Sequence, residues 1–169
     1  MLAGAVLASA GAGLSMAGLA LAGPTGGTVV SGGATIQGQG SASVTINQSS
    51  QNAIINWATF NIFKGETTTF NQPNSTSIAL NRVIGGQGPS FLDGTLTANG
   101  RVFIINGDGI LFGSNSVINT AGFLATTNDI RNEDFMAGKY KFNIPGNPSA
   151  SIVNLGSITR LSAIELLFG

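Results

Sequence analysis

The side chains that could perform acid–base or nucleophilic chemistry are few in this sequence. The 169 residues include seven Asp and Glu, no His and no Cys. A Ser–His pair, a thiol nucleophile and a zinc–thiolate site are therefore excluded, because each needs one of the missing residue types. The sequence predicts no cofactor and no metal site, and any catalysis would depend on carboxyl groups.

Three acidic side chains that lie close together in the sequence leave one catalytic alternative open, a carbohydrate-active lyase or hydrolase. Glycoside hydrolysis needs two carboxyl groups about 5 to 9.5 Å apart. Asp129, Glu133 and Asp134 surround Arg131, and a solvated ion cluster explains this arrangement better than a catalytic pair does. We therefore predict that the chain is not an enzyme.

The charge content argues against a nucleic-acid-binding protein. Charged residues make up 8% of the chain, and the seven Lys and Arg balance the seven Asp and Glu. Phosphate binding requires clustered Lys and Arg, and this sequence has no such cluster. Ser, Thr, Asn and Gln are abundant instead, so uncharged hydrogen-bonding groups supply most of the polarity.

Residues 1–22 have the pattern of a secretory signal peptide. They carry no charge and end in Ala20-Leu21-Ala22, which fits a cleavage site between Ala22 and Gly23. The positively charged start of such a peptide is missing, so we expect the leader in this sequence to be incomplete. A retained membrane anchor is the alternative, because about 20 apolar residues can span a bilayer.

The elements that would position any site are predicted to be strands. From Thr28 onward, apolar residues occur in short groups rich in Val, Ile and Phe, separated by Gly, Asn, Ser and Thr. No window before residue 120 keeps the spacing of an amphipathic helix over three turns. Strands are predicted at residues 28–30, 44–46, 53–57, 77–80, 102–105, 109–112, 116–118 and 151–153.

Several strand groups end in the same way, and this indicates a degenerate internal repeat. Residues 104–109, 117–122 and 152–156 each contain two β-branched residues, then Asn, then a nearby Gly. Asn and Gly tolerate the left-handed backbone conformations that β-branched residues avoid, so each unit predicts a strand followed by a corner. Strands and corners in a coil of roughly 20 residues favour an all-β parallel solenoid, with a β-sandwich as the alternative.

One segment departs from the repeat. Residues 129–138 are predicted to leave the solenoid and to form a helical turn capped by Asn128 or Asp129. The alternating sequence Lys139-Tyr140-Lys141-Phe142 that follows predicts a half-buried strand outside the solenoid.

Four segments together resemble the amino-terminal secretion domain of two-partner secretion exoproteins, the filamentous haemagglutinin family. They read INWATFNI at residues 55–62, TFNQP at 69–73, LNRV at 80–83 and ANGRVFIIN at 98–106. The segments occur in that family's order, and the resemblance extends from Pro24 to Thr159. It predicts a signal peptide at residues 1–22, a β-helix domain at 23–159 and an atypical apolar tail at 160–169.

The resemblance implies a right-handed parallel β-helix with an amino-terminal cap and short extra-helical strands. It also implies passage through the periplasm of a Gram-negative bacterium to the cell surface or the medium. In that family, POTRA modules of an outer-membrane barrel transporter recognise the unfolded domain, which then folds outside the cell. Downstream repeats serve adhesion and would supply any contact with host or bacterial surface ligands.

Two turn motifs are the candidate transporter-recognition sites that the resemblance implies. The family's Asn-Pro-Asn-Gly corner has a counterpart in which Gly replaces Pro and Asp replaces the second Asn, and we expect the Asp to bond its own backbone as Asn would. The second motif, Asn-Pro-Asn-Leu, has a partial counterpart. The candidate residues are Asn106, Gly107, Asp108 and Gly109 in the first motif and Asn71, Gln72, Pro73 and Asn74 in the second.

Overall fold

The computed structural model describes residues 22–160, and the predicted signal peptide and apolar tail lie almost entirely outside this range. The regular structure of the described chain consists of strands and one short helix, as the sequence predicts. The strands are β1 (Thr28–Ser31), β2 (Ala34–Gln37), β3 (Ser43–Gln48), β4 (Asn52–Trp57), β5 (Thr67–Asn71), β6 (Ile78–Val83), β7 (Ser90–Leu92), β8 (Thr95–Ala98), β9 (Arg101–Asn106), β10 (Ile110–Phe112), β11 (Val117–Thr120), β12 (Gly122–Thr126), β13 (Ile152–Asn154) and β14 (Ser157–Arg160). The helix is α1 (Asn132–Met136).

The strands form three sheets that the chain visits in turn. The five-stranded sheet has the order β1-β4-β6-β9-β12, the three-stranded sheet β13-β10-β7, and the six-stranded sheet β14-β11-β8-β5-β3-β2. From β3 to β14, each strand pairs in parallel with its counterpart in the next coil. The result is a β-solenoid of about four turns, so the solenoid prediction is confirmed and the β-sandwich alternative is wrong.

The first layer of the solenoid runs in the opposite sense. Strand β1 is antiparallel to β4, and β2 is antiparallel to β3. The apolar side chains Val29, Ala34 and Ile36 pack against the core from this layer. The two strands therefore cap the amino-terminal end of the solenoid and cover the sheet edges that would otherwise be open there.

The solenoid interior is filled by alternate residues of each strand. In β9, Val102 and Ile104 belong to the main core cluster, and Val102 is in register with Ala79 of β6 and Phe123 of β12. Successive side chains of a strand point to opposite faces, so equivalent positions of successive coils stack inside. This stacking of apolar side chains explains why charge is so scarce in the sequence.

The segment between β12 and β13 leaves the solenoid and lies on the outer face of the five-stranded sheet. Ile130 and Phe135 from this segment form a second buried cluster with Ile54, Leu80 and Ile105. Residues of β6 are consequently buried on both faces, and its sequence shows no alternation of apolar and polar residues. We call residues 127–150 the excursion, because they lie outside the stacked coils of the solenoid.

The helical turn in the excursion is confirmed, but its predicted cap is wrong. The residue before α1 is Arg131, and no side chain caps the helix. Asp129 lies two residues before that position, and its Oδ1 instead accepts hydrogen bonds from Nε of Arg82 at 2.8 Å and from the backbone N–H of Ile130 at 2.7 Å.

The predicted strand at residues 139–142 is also wrong. That stretch has no strand partner, and the only bridge nearby joins Asp129 to Ile144. The alternation in the sequence instead reflects two rings that approach the same neighbour. Tyr140 and Phe142 lie 6.0 and 6.2 Å from the ring of Phe103. Within residues 22–160 no helix is long and apolar enough to cross a membrane.

Candidate functional site

The motif at residues 71–74 forms the corner between the six-stranded and five-stranded sheets, after β5 and before β6. Asn71 is exposed and donates from Nδ2 to Oδ1 of Asn47 at 2.8 Å. Pro73 is exposed and has no backbone N–H to satisfy. Asn74 Oδ1 accepts hydrogen bonds from the backbone N–H of Thr76 at 2.9 Å and from its hydroxyl at 2.7 Å. The outer part of this corner is therefore held both by bonds within the turn and by bonds to the previous coil, where Asn74 Nδ2 also donates to Oε1 of Gln51 at 3.0 Å.

Gln72 turns inward from the same corner and joins three coils. Its Nε2 donates to Oε1 of Gln48 at 3.0 Å and to the carbonyl oxygens of Ser77 and Arg101, each at 3.2 Å. Its backbone N–H donates to Oδ1 of Asn99 at 2.7 Å, and Asn99 Nδ2 returns a bond to the Gln72 carbonyl oxygen at 2.7 Å. We call Gln48, Gln72 and Asn99 the corner ladder. Gln72 is buried, so a partner could contact its side chain only before the domain folds.

Gly100 allows the corner ladder to pack. A Cβ atom at this position would lie 2.6 Å from Oε1 of Gln72, closer than real Cβ atoms come to other atoms. This Oε1 atom is buried and has no hydrogen-bond partner within the described residues. A side chain at position 100 would therefore collide with the buried amide group of Gln72.

The motif at residues 106–109 forms the corner between the five-stranded and three-stranded sheets. Asn106 is buried, and its Nδ2 donates to the Gly88 carbonyl oxygen at 3.1 Å and to the Ser90 hydroxyl at 3.0 Å. Its Oδ1 accepts from the backbone N–H of Asp108 at 2.9 Å, and its carbonyl oxygen accepts from the Gly109 N–H at 3.0 Å. Asn106 thus both closes the turn and ties it to the previous coil.

The expected role of Asp108 is wrong, because Asn106 supplies the side-chain bond of this turn. The Asp108 carboxylate makes no hydrogen bond within residues 22–160, whereas its backbone N–H is the donor to Asn106. Gly109 has a φ of 114°, and a Cβ there would lie 2.8 Å from the Ser151 carbonyl oxygen. Gly107 is less constrained, although its carbonyl oxygen accepts from the Asn147 N–H at 2.8 Å.

The three repeated Asn-containing units do not behave alike. Asn106 and Asn154 each end a strand and accept a backbone N–H two residues later, as a corner residue should. Asn119 lies inside β11 with its side chain exposed, and the corner comes only at Ala121. A corner therefore follows the strand in all three units, but the asparagine forms it in only two of them.

The structure does not bring the two turn motifs together. Strand β6 begins soon after Asn74, and strand β9 ends at Asn106. The two strands are adjacent and parallel in the five-stranded sheet. One motif therefore lies where the strands of this sheet begin, and the other lies where they end. They form two separate corners and no composite pocket.

Arg82 is the residue of this region that sequence reasoning did not single out. From the outer face of β6 its Nε donates to Oδ1 of Asp129 at 2.8 Å, its Nη1 to Oδ1 of Asn132 at 2.8 Å and its Nη2 to the Ile130 carbonyl oxygen at 2.7 Å. Nη1 also donates to Oδ1 of Asn56 at 3.3 Å. The signal available in the sequence was an arginine within an otherwise uncharged strand group, the LNRV segment.

This network corrects the prediction of a solvated ion cluster around Arg131. Asp129 pairs with Arg82, and the two side chains are only 33% and 11% exposed. Glu133 and Asp134 lie in the first turn of α1. Within the described residues no group of three or more His, Cys, Asp or Glu could hold a metal ion.

The predicted cleavage site lies at the start of the described chain. Ala22 is half-buried, and Gly23 is buried with a φ of 67°. The backbone N–H of Gly23 donates to Oε2 of Glu66 at 2.9 Å. The start of the cap is therefore attached to the first turn of the solenoid.

These features define the chain as a capped parallel β-helix with hydrogen-bonded corners and an extra-helical segment. The family model of the TPS secretion domain, the two-partner secretion domain, matches residues 20–165. The chain belongs to this family, and it is the secretion domain of a two-partner secreted exoprotein.

Individual proteins agree with the family match. The crystal structure of the HMW1 secretion domain from Haemophilus influenzae superimposes with a TM-score of 0.78 at 42% identity, covering 85% of this chain and 39% of that one. Two proteins named heme/hemopexin-binding protein are also similar. The one from Haemophilus influenzae is 40% identical over 113 residues, or 67% of this chain, and that from strain KW20 / Rd is 39% identical over 107 residues, or 63%. The match spans 12% of the length of each relative.

Proposed function

We propose that this domain is recognised in its unfolded form by periplasmic POTRA modules of an outer-membrane barrel transporter and folds outside the cell. The observation that carries the proposal is the match of nearly the whole described chain to the TPS secretion domain. Membership of that family implies a partner transporter in the outer membrane. The mode of recognition and the place of folding are our inference.

The burial of the corner residues supports recognition before folding. Gln72 and Asn106 have almost no exposed surface in the folded domain, and their polar groups bond to neighbouring coils. In an unfolded chain the same amide groups and the strand backbones are free, so a partner could bind them by adding a strand. The absence of Cys from the chain means that no disulfide opposes an extended state in the oxidising periplasm.

The parallel stacking of coils supports folding as the chain emerges. Gln48 and Gln72, which bond directly, are 24 residues apart, so each coil needs only the previous coil as a template. Each new coil buries apolar side chains against the last, at about 25 cal/mol per Å² of apolar area. Folding outside the cell would therefore oppose movement of the chain back through the transporter into the periplasm.

The route to the surface requires a leader, and we place its cleavage between Ala22 and Gly23. The product is then secreted from, or held on, the surface of a Gram-negative bacterium, as relatives of this family are. Adhesion to host or bacterial ligands belongs to regions downstream of this domain. The relatives' names refer to heme and hemopexin, and we assign that binding to regions outside the shared part, which makes up only 12% of each relative.

An export assay with the transporter co-expressed tests the proposal. Deleting residues 71–74, or changing Asn106→Ala, should abolish the appearance of the exoprotein in the medium. Asn119→Ala is the matched control, because this asparagine is exposed and its side chain makes no hydrogen bond within residues 22–160. Normal export of both corner variants would contradict a role in recognition, and refolding each purified variant separates a recognition defect from a folding defect.

The family is one of secretion domains and not of enzymes, so we expect no turnover of pectin-like or glucan substrates by the purified domain. Activity above the blank that is lost in the Asp134→Asn variant would support the carbohydrate-active alternative. Activity retained in that variant would indicate a contaminating enzyme.

A further inference from the structure

One carboxylate connects the start of the cap to the first turn of the solenoid. Oε2 of Glu66 accepts hydrogen bonds from the backbone N–H of Gly23 at 2.9 Å and of Phe63 at 2.7 Å. The Glu66 backbone N–H donates to the Phe63 carbonyl oxygen at 2.9 Å, and Gly65 has a φ of 84° in the same turn. The turn at residues 63–66 therefore holds the carboxylate in place for a nitrogen that arrives from the cap.

The position of the Gly23 nitrogen is set by the surrounding backbone. A Cβ atom on Gly23 would lie 2.4 Å from the Ser41 carbonyl oxygen and 3.0 Å from Cγ2 of Val44. The next residue, Pro24, accepts a hydrogen bond at its carbonyl oxygen from Gly40 at 3.0 Å. Only glycine fits this place, and a residue with a side chain would move the nitrogen away from Glu66.

Cleavage at this point would change the chemistry of that nitrogen. Hydrolysis of the Ala22–Gly23 bond consumes one water molecule, leaves a carboxylate on Ala22 and an amino group on Gly23, and the amino group takes up a proton at neutral pH. We propose that Glu66 binds the α-ammonium group that cleavage creates on Gly23, so that removal of the leader completes the cap of the domain. This inference depends on the cleavage site proposed above.

The charged surroundings favour such a pair. Lys64 lies in the same turn, but it is exposed and makes no ion pair within 4 Å of Glu66 among the described side chains. Asp93, in the turn of the next coil, accepts from the Asn115 N–H at 3.0 Å. In the uncleaved chain Glu66 therefore has two neutral donors, and cleavage replaces one of them by a cation, which makes a stronger hydrogen bond.

The carboxylate should raise the pKa of the Gly23 amine in the folded domain. A raised pKa contributes stability that is fully present below the pKa of the unfolded chain and is lost as the pH rises through the folded value. The amine of an unfolded chain titrates near pH 8. The added stability should thus be present at pH 6 and absent at pH 10.

The test compares the processed chain, residues 23–169, with the same chain acetylated only at the Gly23 amine, each with Glu66 and with Glu66→Gln. Urea unfolding at pH 6 should give an unfolding equilibrium constant about three- to tenfold lower for the free amine than for the acetylated chain. This difference should disappear in the Glu66→Gln pair and at pH 10. Equal effects of acetylation with Glu66 and with Gln would overturn the contact.

A second measurement applies even if the Glu66→Gln chain does not fold. The Gly23 amine of the unaltered processed chain should titrate above the amine of a short peptide with the same first residues, and an equal or lower value would overturn the proposal. Mass spectrometry of the exported protein tests the cleavage separately. A first residue other than Gly23 would overturn the proposed cleavage site, and with it the pairing of Glu66 with the Gly23 α-ammonium group in the cell. The urea comparison tests the Glu66 contact independently of where cleavage occurs.

Discussion

The guanidinium Nε of Arg82 donates to Oδ1 of Asp129 at 2.8 Å, and this contact fastens the excursion to the middle of the five-stranded sheet. The two residues are 47 positions apart, on elements that no turn connects. The contact lies beside the second buried cluster, in which Leu80 and Phe135 meet. Arg82 therefore supplies the polar half of an attachment whose other half is apolar burial.

Arg82→Ala should destabilise the domain by about 1–3 kcal/mol, because it leaves the Asp129 carboxylate and the Ile130 carbonyl oxygen without their donor. Urea unfolding measures the loss, and hydrogen exchange should show faster opening of α1 than of β9. Arg131→Ala is the control, since no side-chain hydrogen bond joins Arg131 to the described residues. Equal effects of the two substitutions would contradict the assigned role of Arg82.

Gln72→Ala should cost about 1–3 kcal/mol of folding free energy, because the corner ladder loses a donor that serves three acceptors in a buried place. Asn71→Ala, one residue earlier, removes an exposed side chain that makes one bond and should change stability far less. The urea midpoints of the two purified variants make the comparison. A larger loss for Asn71→Ala would show that the outer part of the corner carries its stability.

Gly107→Pro should stabilise the domain by about 0.4–1 kcal/mol by restricting the unfolded chain. The Gly107 N–H donates no hydrogen bond within the described residues, and a Cβ there would approach nothing closer than 3.6 Å. Asn106, the preceding residue, ends a strand and so has the extended backbone that proline requires before it. Thermal unfolding provides the measurement, and Gly109→Pro, at a φ of 114°, should be strongly destabilising. A lower midpoint for Gly107→Pro would mean that the turn excludes the proline backbone angle.

Asn81→Leu should destabilise the solenoid interior by about 2–3 kcal/mol, although leucine is apolar and similar in size. Asn81 is fully buried, accepts from Nε1 of Trp57 at 3.0 Å and donates to the carbonyl oxygens of Ala79 and Phe103, each at 3.2 Å. The substitution would leave the indole N–H buried without a partner. The double variant Asn81→Leu with Trp57→Phe should lose less than the sum of the two single variants, and additive losses would contradict the coupling.

The strand positions and the solenoid could be predicted from the sequence because they depend on local properties. All eight predicted strand groups overlap strands of the structure. The strands missed, such as β2 and β8, contain Thr, Gln or Ala in place of long apolar groups, and they form because a neighbouring coil offers them a partner. The corners after Asn and Gly were equally local, although Asn119 occupies an exposed strand position and the corner of its unit follows at Ala121.

The sequence by itself determined the alternation of strands and corners, the scarcity of charge and the family, since each is a pattern of residue types along the chain. The tertiary structure alone decided that Arg82 and Asp129 pair, that the excursion covers the five-stranded sheet and that Glu66 meets Gly23. These contacts join residues 43 to 47 positions apart. No local preference specifies which distant groups meet, because that depends on how the stacked coils bring their faces together.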